Sequence, residues 1–199
     1  MGLFGLFLPR WARRFAVVLI VSGVGALLAG RLFVWPPTDL DADGRVDAIV
    51  MFQGGEGERL LQVESLLAAG VSDVAIIPEG HFMGLPHLCG RHETHEVICG
   101  SPAVANTAGE AAFFAAVARD RGFERLAIVT SDYHVTRAGQ ELDRCFDGHL
   151  VQAPAEPDLA RHVHAGRVAH EALGLFQAFL RATCVAPGWY EDGTPVGRR

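Results

Sequence analysis

The sequence predicts an α/β domain with a mainly parallel sheet, preceded by one N-terminal transmembrane helix. Two observations lead to this prediction. Short apolar runs, typical of buried strands, alternate with longer runs in which apolar residues recur at helical spacing. Strands that alternate with helices in this way pair in parallel through right-handed crossovers. Before all of these elements lies a stretch of sixteen uncharged, mostly apolar residues, Phe15 to Gly30.

The N-terminal apolar stretch, with the LFVW that follows Arg31, approaches the ~20 residues that a helix needs to cross a bilayer. Three arginines precede it, and Trp11 and Trp35 flank it where interfacial aromatic residues belong. By the positive-inside rule, residues 1–35 form a cytoplasmic stub and a single-pass anchor in the inner (cytoplasmic) membrane, and the α/β domain is extracytoplasmic. A cleaved signal peptide and a buried core helix are the alternatives, and the sequence leaves cleavage open.

Glycines, prolines and changes of composition set the boundaries of the other elements. Residues 36–45, rich in Pro and Asp, form a linker, residues 46–184 form the α/β domain, and residues 185–199 form a flexible tail. Continuous apolar runs such as VDAIVMF indicate strands that are buried on both faces. Gly70 and Gly122 end two helices, as glycine does at helix C-caps. The predicted strands are Val46–Phe52, Asp73–Ile77, Arg125–Thr130 and His149–Gln152, the predicted helices are Glu58–Ala69, Asn106 or Thr107 to Arg121, His134–Phe146 and Asp158–Cys184, and residues 78–105 are predicted to be irregular.

The composition is that of a globular domain. Of the 199 residues 50% are hydrophobic, which is enough for a proper core. The formal net charge is −6, and beyond the four arginines that precede Asp39 there are 13 basic against 23 acidic residues, a formal charge of −10. Because nucleic-acid binding needs clustered positive charge, this acidic domain argues against a nucleic-acid partner, although it permits one local anion site.

Four cysteines lie in the predicted extracytoplasmic part, where disulfides form. Cys89 and Cys99 flank one loop and could close it, and Cys145 and Cys184 could tie two helices together. The spacing does not fix the pairing, and free buried thiols are the alternative. The loop also holds four histidines whose spacing matches no compact metal motif, so we expect solvated side chains and no metal site. These histidines are His81, His87, His92 and His95.

The predicted topology indicates where a ligand would bind. In a parallel α/β sheet the ligand crevice lies outside the carboxyl ends of the strands. The residues that directly follow three predicted strands should therefore converge there, namely Gln53–Gly55, Glu79–Gly80 and Thr130–His134. The two glycine amides in the first group precede a helix and could approach an anion. Arg59 lies in the first turn of that helix, where a cation is unfavourable unless an anion is bound nearby.

Two polar blocks mark helix starts at this crevice. The block NTAGE contains T-x-x-E, a capping box in which Thr107 caps the helix and Glu110 returns the bond. In the block TSDYHVTR, Asp132 is the expected N-cap, with His134 in the first turn. His134 can act as a general acid or base near neutral pH. Arg137, three residues later on nearly the same face, can hold a phosphate or a carboxylate.

These blocks resemble those of a known family. VDAIVMFQGG with Arg59 downstream, ANTAGEA and VTSDYHVTRA are similar to blocks of the YdcF/SanA/ElyC-like family, long catalogued as a domain of unknown function, over roughly Val46 to Pro154. The resemblance implies a Rossmann-like three-layer domain, often behind a single N-terminal anchor, and a role in bacterial cell-envelope integrity and peptidoglycan-precursor or carrier-lipid metabolism. It also implies that Asn106 and Glu110 serve the site as well as the helix. The family positions carried onto this chain are Gly54, Gly55, Arg59, Asn106, Thr107, Glu110, Thr130, Ser131, His134 and Arg137.

The chain departs from the family pattern after the second predicted strand. Pro78-Glu79-Gly80 stands in place of the usual Ser-Gly or Gly-Gly step. A loop with histidines and cysteines replaces a helix that usually carries an acidic residue, for which Glu93 and Glu96 are the counterparts to consider. Because this loop should roof the crevice, the departure bears on substrate specificity.

We therefore expect a membrane-anchored envelope enzyme, a hydrolase or transferase, that acts on a phosphorylated or nucleotide-like substrate, including lipid-linked ones. The expected catalytic residues are His134 as general acid or base, Glu110 to orient it or a water, and Ser131 as a nucleophile or hydrogen-bond donor. The residues identify no cofactor. The expected substrate-binding residues are Gly54, Gly55, Arg59, Asn106, Thr107, Thr130 and Arg137.

The alternative is a protein without catalysis, either a module that binds S-adenosylmethionine or a nucleotide, or an envelope scaffold. Dinucleotide-binding domains place a ribose-binding acidic residue about 20 residues after the glycine turn. Asp73 lies near that position and would support the binding module.

Overall fold

The computed structural model describes residues 9–34, 44–55, 57–79, 88–179 and 183–184. The predicted tail and residues 36–43 of the predicted linker lie outside these ranges. Within them the chain forms five helices and a six-stranded sheet. The helices are α1 (Arg10–Val34), α2 (Glu58–Ala68), α3 (Thr107–Arg121), α4 (Val135–Asp143) and α5 (Arg161–Phe179), and the strands are β1 (Ala48–Met51), β2 (Val74–Pro78), β3 (Gly90–Arg91), β4 (Glu96–Gly100), β5 (Arg125–Val129) and β6 (His149–Gln152).

The sheet is mainly parallel, as predicted, and its strand order is β3-β4-β2-β1-β5-β6. β1 pairs in parallel with β2 on one side and with β5 on the other, while β4 and β6 extend the sheet beyond them. The two-residue β3 is antiparallel and lies at the edge beside β4. The five parallel strands therefore end at one edge of the sheet, and the strand order changes direction beside β1.

Strands β3 and β4 lie within residues 78–105, so the prediction that this segment is irregular was wrong there. The cause is local, because the strongly apolar pair Val97 and Ile98 lies in a stretch rich in Gly, Pro and His, a composition that indicates a loop. The strand forms through its pairing with β2, in register from Val74 and Glu96 to Pro78 and Gly100.

The strands carry two apolar cores, one on each face of the sheet. On one face, Val50 packs with Phe114 of α3 and Leu142 of α4. On the other face, Ile49 packs with Val63 of α2. Because both faces are covered, the strands consist of continuous apolar runs instead of alternating ones. This arrangement confirms the predicted α/β class and is compatible with a Rossmann-like fold.

Helix α5 lies beside α4 and runs in the same direction, because successive residues along α5 meet successive residues in and around α4. The predicted last helix, Asp158–Cys184, is observed as Arg161–Phe179 over the described residues. One of the links between the two segments is covalent, so α5 is held as a fixed wall of the domain. In chain order the linked pairs are His164 with Asp132, Glu171 with His134, and Cys184 with Cys145.

The four cysteines form two disulfides, Cys89–Cys99 and Cys145–Cys184. The sequence left the pairing open, and the structure selects the two pairings that the spacing allowed. The first bond joins the segment before β3 to β4. The second joins the end of α4 to a residue beyond α5.

Helix α1 spans 25 residues. Its described side chains include several large apolar groups that are exposed to solvent. As far as the described residues extend, no helix combines the length and the hydropathy that crossing a bilayer requires. The exposed large apolar residues of α1 are Trp11, Phe15, Val17, Val18, Leu19, Ile20, Val21 and Val24.

Removing either disulfide should lower the free energy of unfolding, and removing Cys145–Cys184 should lower it more. A crosslink lowers the entropy of the unfolded chain by an amount that grows with the logarithm of the number of residues in the loop that it closes. Sequence separations of 39 and 10 residues correspond to about 4 and about 3 kcal/mol. Urea unfolding of the Cys145→Ser/Cys184→Ser and Cys89→Ser/Cys99→Ser variants measures both effects, and a larger loss in the second variant would contradict the expectation.

Candidate functional site

The candidate site lies at the carboxyl edge of the sheet, around the ends of β1 and β5. The backbone N–H of Phe52 donates to the carbonyl of Val129, which continues the pairing of the two strands to this edge. The side-chain amide of Gln53 donates to the carbonyl of Pro78 at the end of β2, with a distance of 3.0 Å. The segments that follow β1, β2 and β5 therefore meet, as the topology predicts. Glu79 is exposed at this edge, and Gly80 lies outside the described residues.

Arg59 joins the turn after β1 to the turn after β5. Its Nε donates to Ser131 Oγ at 2.9 Å, and its Nη1 donates to the carbonyl of Phe52 at 3.0 Å and to the carbonyl of Gln53. The side chain is buried, and burial lowers the pKa of Arg59, against the opposing effects of Tyr133 and Glu58. The buried guanidinium thus links the two turns through its hydrogen bonds.

The glycine turn has the conformation that glycine favours. Gly54 has φ 109° and Gly55 has φ 76°, both in the left-handed region. The turn leads into α2, whose first residue is Glu58. The predicted turn is therefore confirmed, and its amides precede a helix N-terminus as expected.

Ser131 is fully buried and hydrogen bonded on both sides. Its hydroxyl donates to Glu58 Oε1 at 2.6 Å and accepts from Arg59. Because its hydroxyl is buried and makes both hydrogen bonds, Ser131 positions Glu58 and Arg59. It does not present a free hydroxyl that could act as a nucleophile. Sequence reasoning missed Glu58, because an acidic residue in the first turn of a helix is already explained by the helix dipole.

The start of α3 differs from the predicted capping box. Asn106 is the N-cap, and its Oδ1 accepts from the backbone N–H of Gly109 at 2.9 Å. Glu110 is buried and its Oε1 accepts from the backbone N–H of Gln53 at 3.0 Å. The prediction that Thr107 caps the helix was therefore wrong, because Asn106 takes that role. The Thr107 hydroxyl accepts a hydrogen bond from Arg137 instead.

His134 and Glu171 form a buried pair. His134 Nδ1 lies 2.9 Å from Glu171 Oε2, and the two side chains are only 6% and 8% exposed. A carboxylate only accepts, so the bond to Glu171 places the imidazole proton on Nδ1 and the electron pair on Nε2. The donor Arg137 Nη2 also lies 3.1 Å from Nδ1. Burial lowers the pKa of His134 below its ordinary value and outweighs the raising effect of Glu171. The imidazole is thus neutral near pH 7 and oriented by a carboxylate.

Arg137 holds the same carboxylate from the other side. Its Nε and Nη2 donate to the two oxygens of Glu171 at 2.7 and 2.9 Å, and its Nη1 donates to Thr107 Oγ1 at 2.7 Å. Burial alone would raise the pKa of Glu171, but the hydrogen bonds from His134 and Arg137 lower it to about 2. The sequence predicted that Arg137 binds an anionic group of a ligand. In the structure Arg137 binds the carboxylate of Glu171 instead.

Gly174 permits this close contact between α5 and Arg137. A Cβ atom at Gly174 would lie 2.9 Å from Arg137 Nε, and that nitrogen is held by its bond to Glu171. One turn before it, Glu171 lies on the stripe of α5 that faces the domain, where His164 and Ala178 also lie. A charged residue on the inner stripe of an amphipathic helix is the one sequence signal that could have identified Glu171.

The turn before α4 contains a second histidine–carboxylate pair. Asp132 Oδ2 lies 3.0 Å from His164 Nε2, and Asp132 Oδ1 accepts from the backbone N–H of Tyr133 at 2.6 Å. Helix α4 begins at Val135 with His134 as its N-cap, so the predicted start at His134 is shifted by one residue. The prediction that Asp132 caps this helix was wrong, because its carboxylate binds the N–H of Tyr133 and His164 instead. In the part of the chain that is described, Thr130 Oγ1 is buried without a hydrogen-bond partner.

Several candidates lie away from the site. Asp73 precedes β2 at the amino edge of the sheet, where it is exposed and paired with Arg45 at 2.9 Å, so it cannot reach a ribose in the crevice. Glu96 begins β4 at the same edge and pairs with Arg121. Glu93 is exposed. Of the loop histidines, His92 and His95 stack with 4.7 Å between ring centroids, and His81 and His87 lie outside the described residues.

The unfolding free energy should fall as the pH falls from about 4.5 towards 2, because Glu171 has a pKa of about 2 in the folded protein and 4.5 when unperturbed. A lowered folded pKa contributes stability above the unperturbed pKa, and this stability is lost as the carboxylate is protonated. The shift corresponds to about 3 kcal/mol. Urea unfolding between pH 7 and pH 2.5 should show a flatter acid limb for Glu171→Gln, whereas Glu64→Gln, an exposed site on α2, should follow the wild type.

The resemblance to the YdcF/SanA/ElyC-like family rests on the three sequence blocks quoted above. No family model, curated protein or solved structure matches this chain.

Proposed function

We propose that this protein is a membrane-anchored envelope enzyme of the YdcF/SanA/ElyC type that acts on a phosphorylated or nucleotide-like substrate, including lipid-linked ones. The observation that carries the catalytic part is the buried pair of His134 and Glu171 with 2.9 Å between Nδ1 and Oε2. A neutral imidazole whose tautomer is fixed by a carboxylate is a suitable general base. Arg137, which binds both carboxylate oxygens, keeps Glu171 ionised and oriented.

The chemical step follows from these roles. Nε2 of His134 takes a proton from a water or a substrate hydroxyl, whose oxygen attacks phosphorus. The bond from phosphorus to the leaving oxygen breaks, and the imidazolium returns its proton to that oxygen. Glu171 stabilises the imidazolium while it exists. The backbone amides of Gly54 and Gly55 bind the phosphoryl oxygens at the helix N-terminus, and the buried charge of Arg59 supports them.

Two observations support an extracytoplasmic position behind an N-terminal anchor. The described part of α1 exposes apolar side chains, from Trp11 to Val24, that a lipid environment would cover. The two disulfides are stable in an oxidising compartment, which agrees with the orientation that the positive-inside rule gives. The ligand-binding alternative loses its sequence support, because Asp73 lies at the amino edge of the sheet and pairs with Arg45.

Replacement of His134 should strongly lower turnover without unfolding the protein. The detergent-solubilised full-length chain is assayed for phosphate release from phenyl phosphate, glucose 1-phosphate and uridine 5′-diphosphate. His134→Gln should lower kcat on any accepted substrate by about 10²- to 10⁴-fold, the usual contribution of a general base. His149→Gln, at an exposed histidine of β6 on the opposite edge of the sheet, is the matched control.

The Glu171→Gln variant tests whether Glu171 positions His134 for catalysis or only stabilises the folded protein. It should lower kcat and also move the acid limb of the pH–rate profile to lower pH, because Glu171 raises the pKa of His134. An unchanged acid limb would show that the pair does not act in turnover. Full activity of His134→Gln with normal folding, or no phosphate release from any ester by the wild type, would reject the phosphoryl-transfer proposal.

The anchor is tested by cell fractionation. The full-length chain should remain in the membrane pellet after carbonate extraction, and a variant that lacks residues 1–35 should be released, because the apolar segment would be removed. A reporter enzyme that is active only outside the cytoplasm should be active when it is fused after Arg199. Release of the full-length chain by carbonate would contradict an uncleaved anchor.

A further inference from the structure

A cavity of about 660 Å³ opens beside the candidate site. Its walls come from the turn and first residues of α2 after β1, from Tyr133 after β5, and from residues 156–159 after β6. Arg167 of α5 completes the lining. The cavity thus lies at the carboxyl edge of the sheet where the strand order changes direction, which is the usual ligand position in α/β sheets. Its volume is in the range of small-molecule sites.

The charges of the cavity indicate which part of a ligand it can hold. Among the described lining residues, three are acidic, Glu58, Glu156 and Asp158, and one is a cation, Arg167. Glu58 accepts from Ser131 and lies 3.9 Å from Arg59 Nε, so its charge is largely compensated. The two remaining carboxylates would repel a phosphate. Their excess of one negative charge over the guanidinium is too small to require a bound cation. A neutral group with hydroxyl donors satisfies these acceptors.

The other walls are apolar. Leu60 and Leu61 lie on one side, Pro157 and Leu159 on another, and the ring of Tyr133 borders the same space. A sugar ring has apolar C–H surfaces and a rim of hydroxyls, so it matches a cavity that combines apolar walls with carboxylate acceptors.

We propose that this cavity binds the sugar of the phosphorylated substrate, a hexose or a ribose, with its hydroxyls donating to Glu156 and Asp158. This inference rests on the proposed function, because the sugar is the part of the substrate that is not transferred. Gly55 belongs both to the cavity wall and to the turn that receives the phosphoryl group, so one molecule can occupy both places. Glu156 and Asp158 then determine which phosphorylated compounds are accepted.

The test measures sugar binding without any reaction. Isothermal titration calorimetry of the full-length chain with methyl glucoside and with uridine distinguishes a hexose from a ribose. Loss of the acceptors in Glu156→Gln/Asp158→Asn should weaken binding of the accepted sugar by about tenfold or more. Asp120→Asn, which changes an exposed carboxylate near the end of α3, should bind like the wild type.

Sugar binding that is lost only in the double variant supports the proposal. It is overturned if neither sugar binds the wild type, or if the double variant binds as tightly as the wild type. Because no turnover is required, sugar binding together with a failure to release phosphate would reject the proposed activity and leave this site in place.

Discussion

The carboxylate of Glu171 is the point at which three helices meet. It lies on α5, its partners His134 and Arg137 precede and begin α4, and Arg137 reaches on to Thr107 at the start of α3. A buried carboxylate costs several kcal/mol unless it is paired and hydrogen bonded, and here two side chains meet that requirement. The contact therefore fixes the relative placement of the helices that wall the candidate site, and each partner depends on the others.

The same contact explains why α5 belongs to the domain core. The helix begins beside the turn before α4, through His164 and Asp132, and the chain beyond it is bound to the end of α4 by the Cys145–Cys184 disulfide. Glu171 lies between these two links. With both ends of the segment fixed, Glu171 keeps its register on His134, so the imidazole has one orientation.

The sequence was sufficient where structure depends on neighbours along the chain. Continuous apolar runs predicted β1, β2 and β5, and the topological rule then predicted that Gln53 and Ser131 meet at one edge. It was insufficient where a partner comes from elsewhere. β4 is a strand because β2 lies beside it, and Glu171 is a site residue because α5 packs beside α4, which places it next to His134, 37 residues earlier in the chain. At the start of α3, two residues could serve as the cap, and only the fold shows that Asn106 does so while Glu110 turns to Gln53.

The charges at the site limit the ways in which it could bind an anion. Both arginines predicted to bind one are already engaged, Arg59 with backbone carbonyls and Ser131, and Arg137 with Glu171. A phosphoryl group would then depend chiefly on the backbone amides of Gly54 and Gly55, since fixed dipoles stabilise charge without a free cation. This division is chemically consistent, because the burial that commits Arg137 to Glu171 also keeps His134 neutral. A free arginine in the same place would favour anion binding, but it would leave the carboxylate that orients the base without its partner.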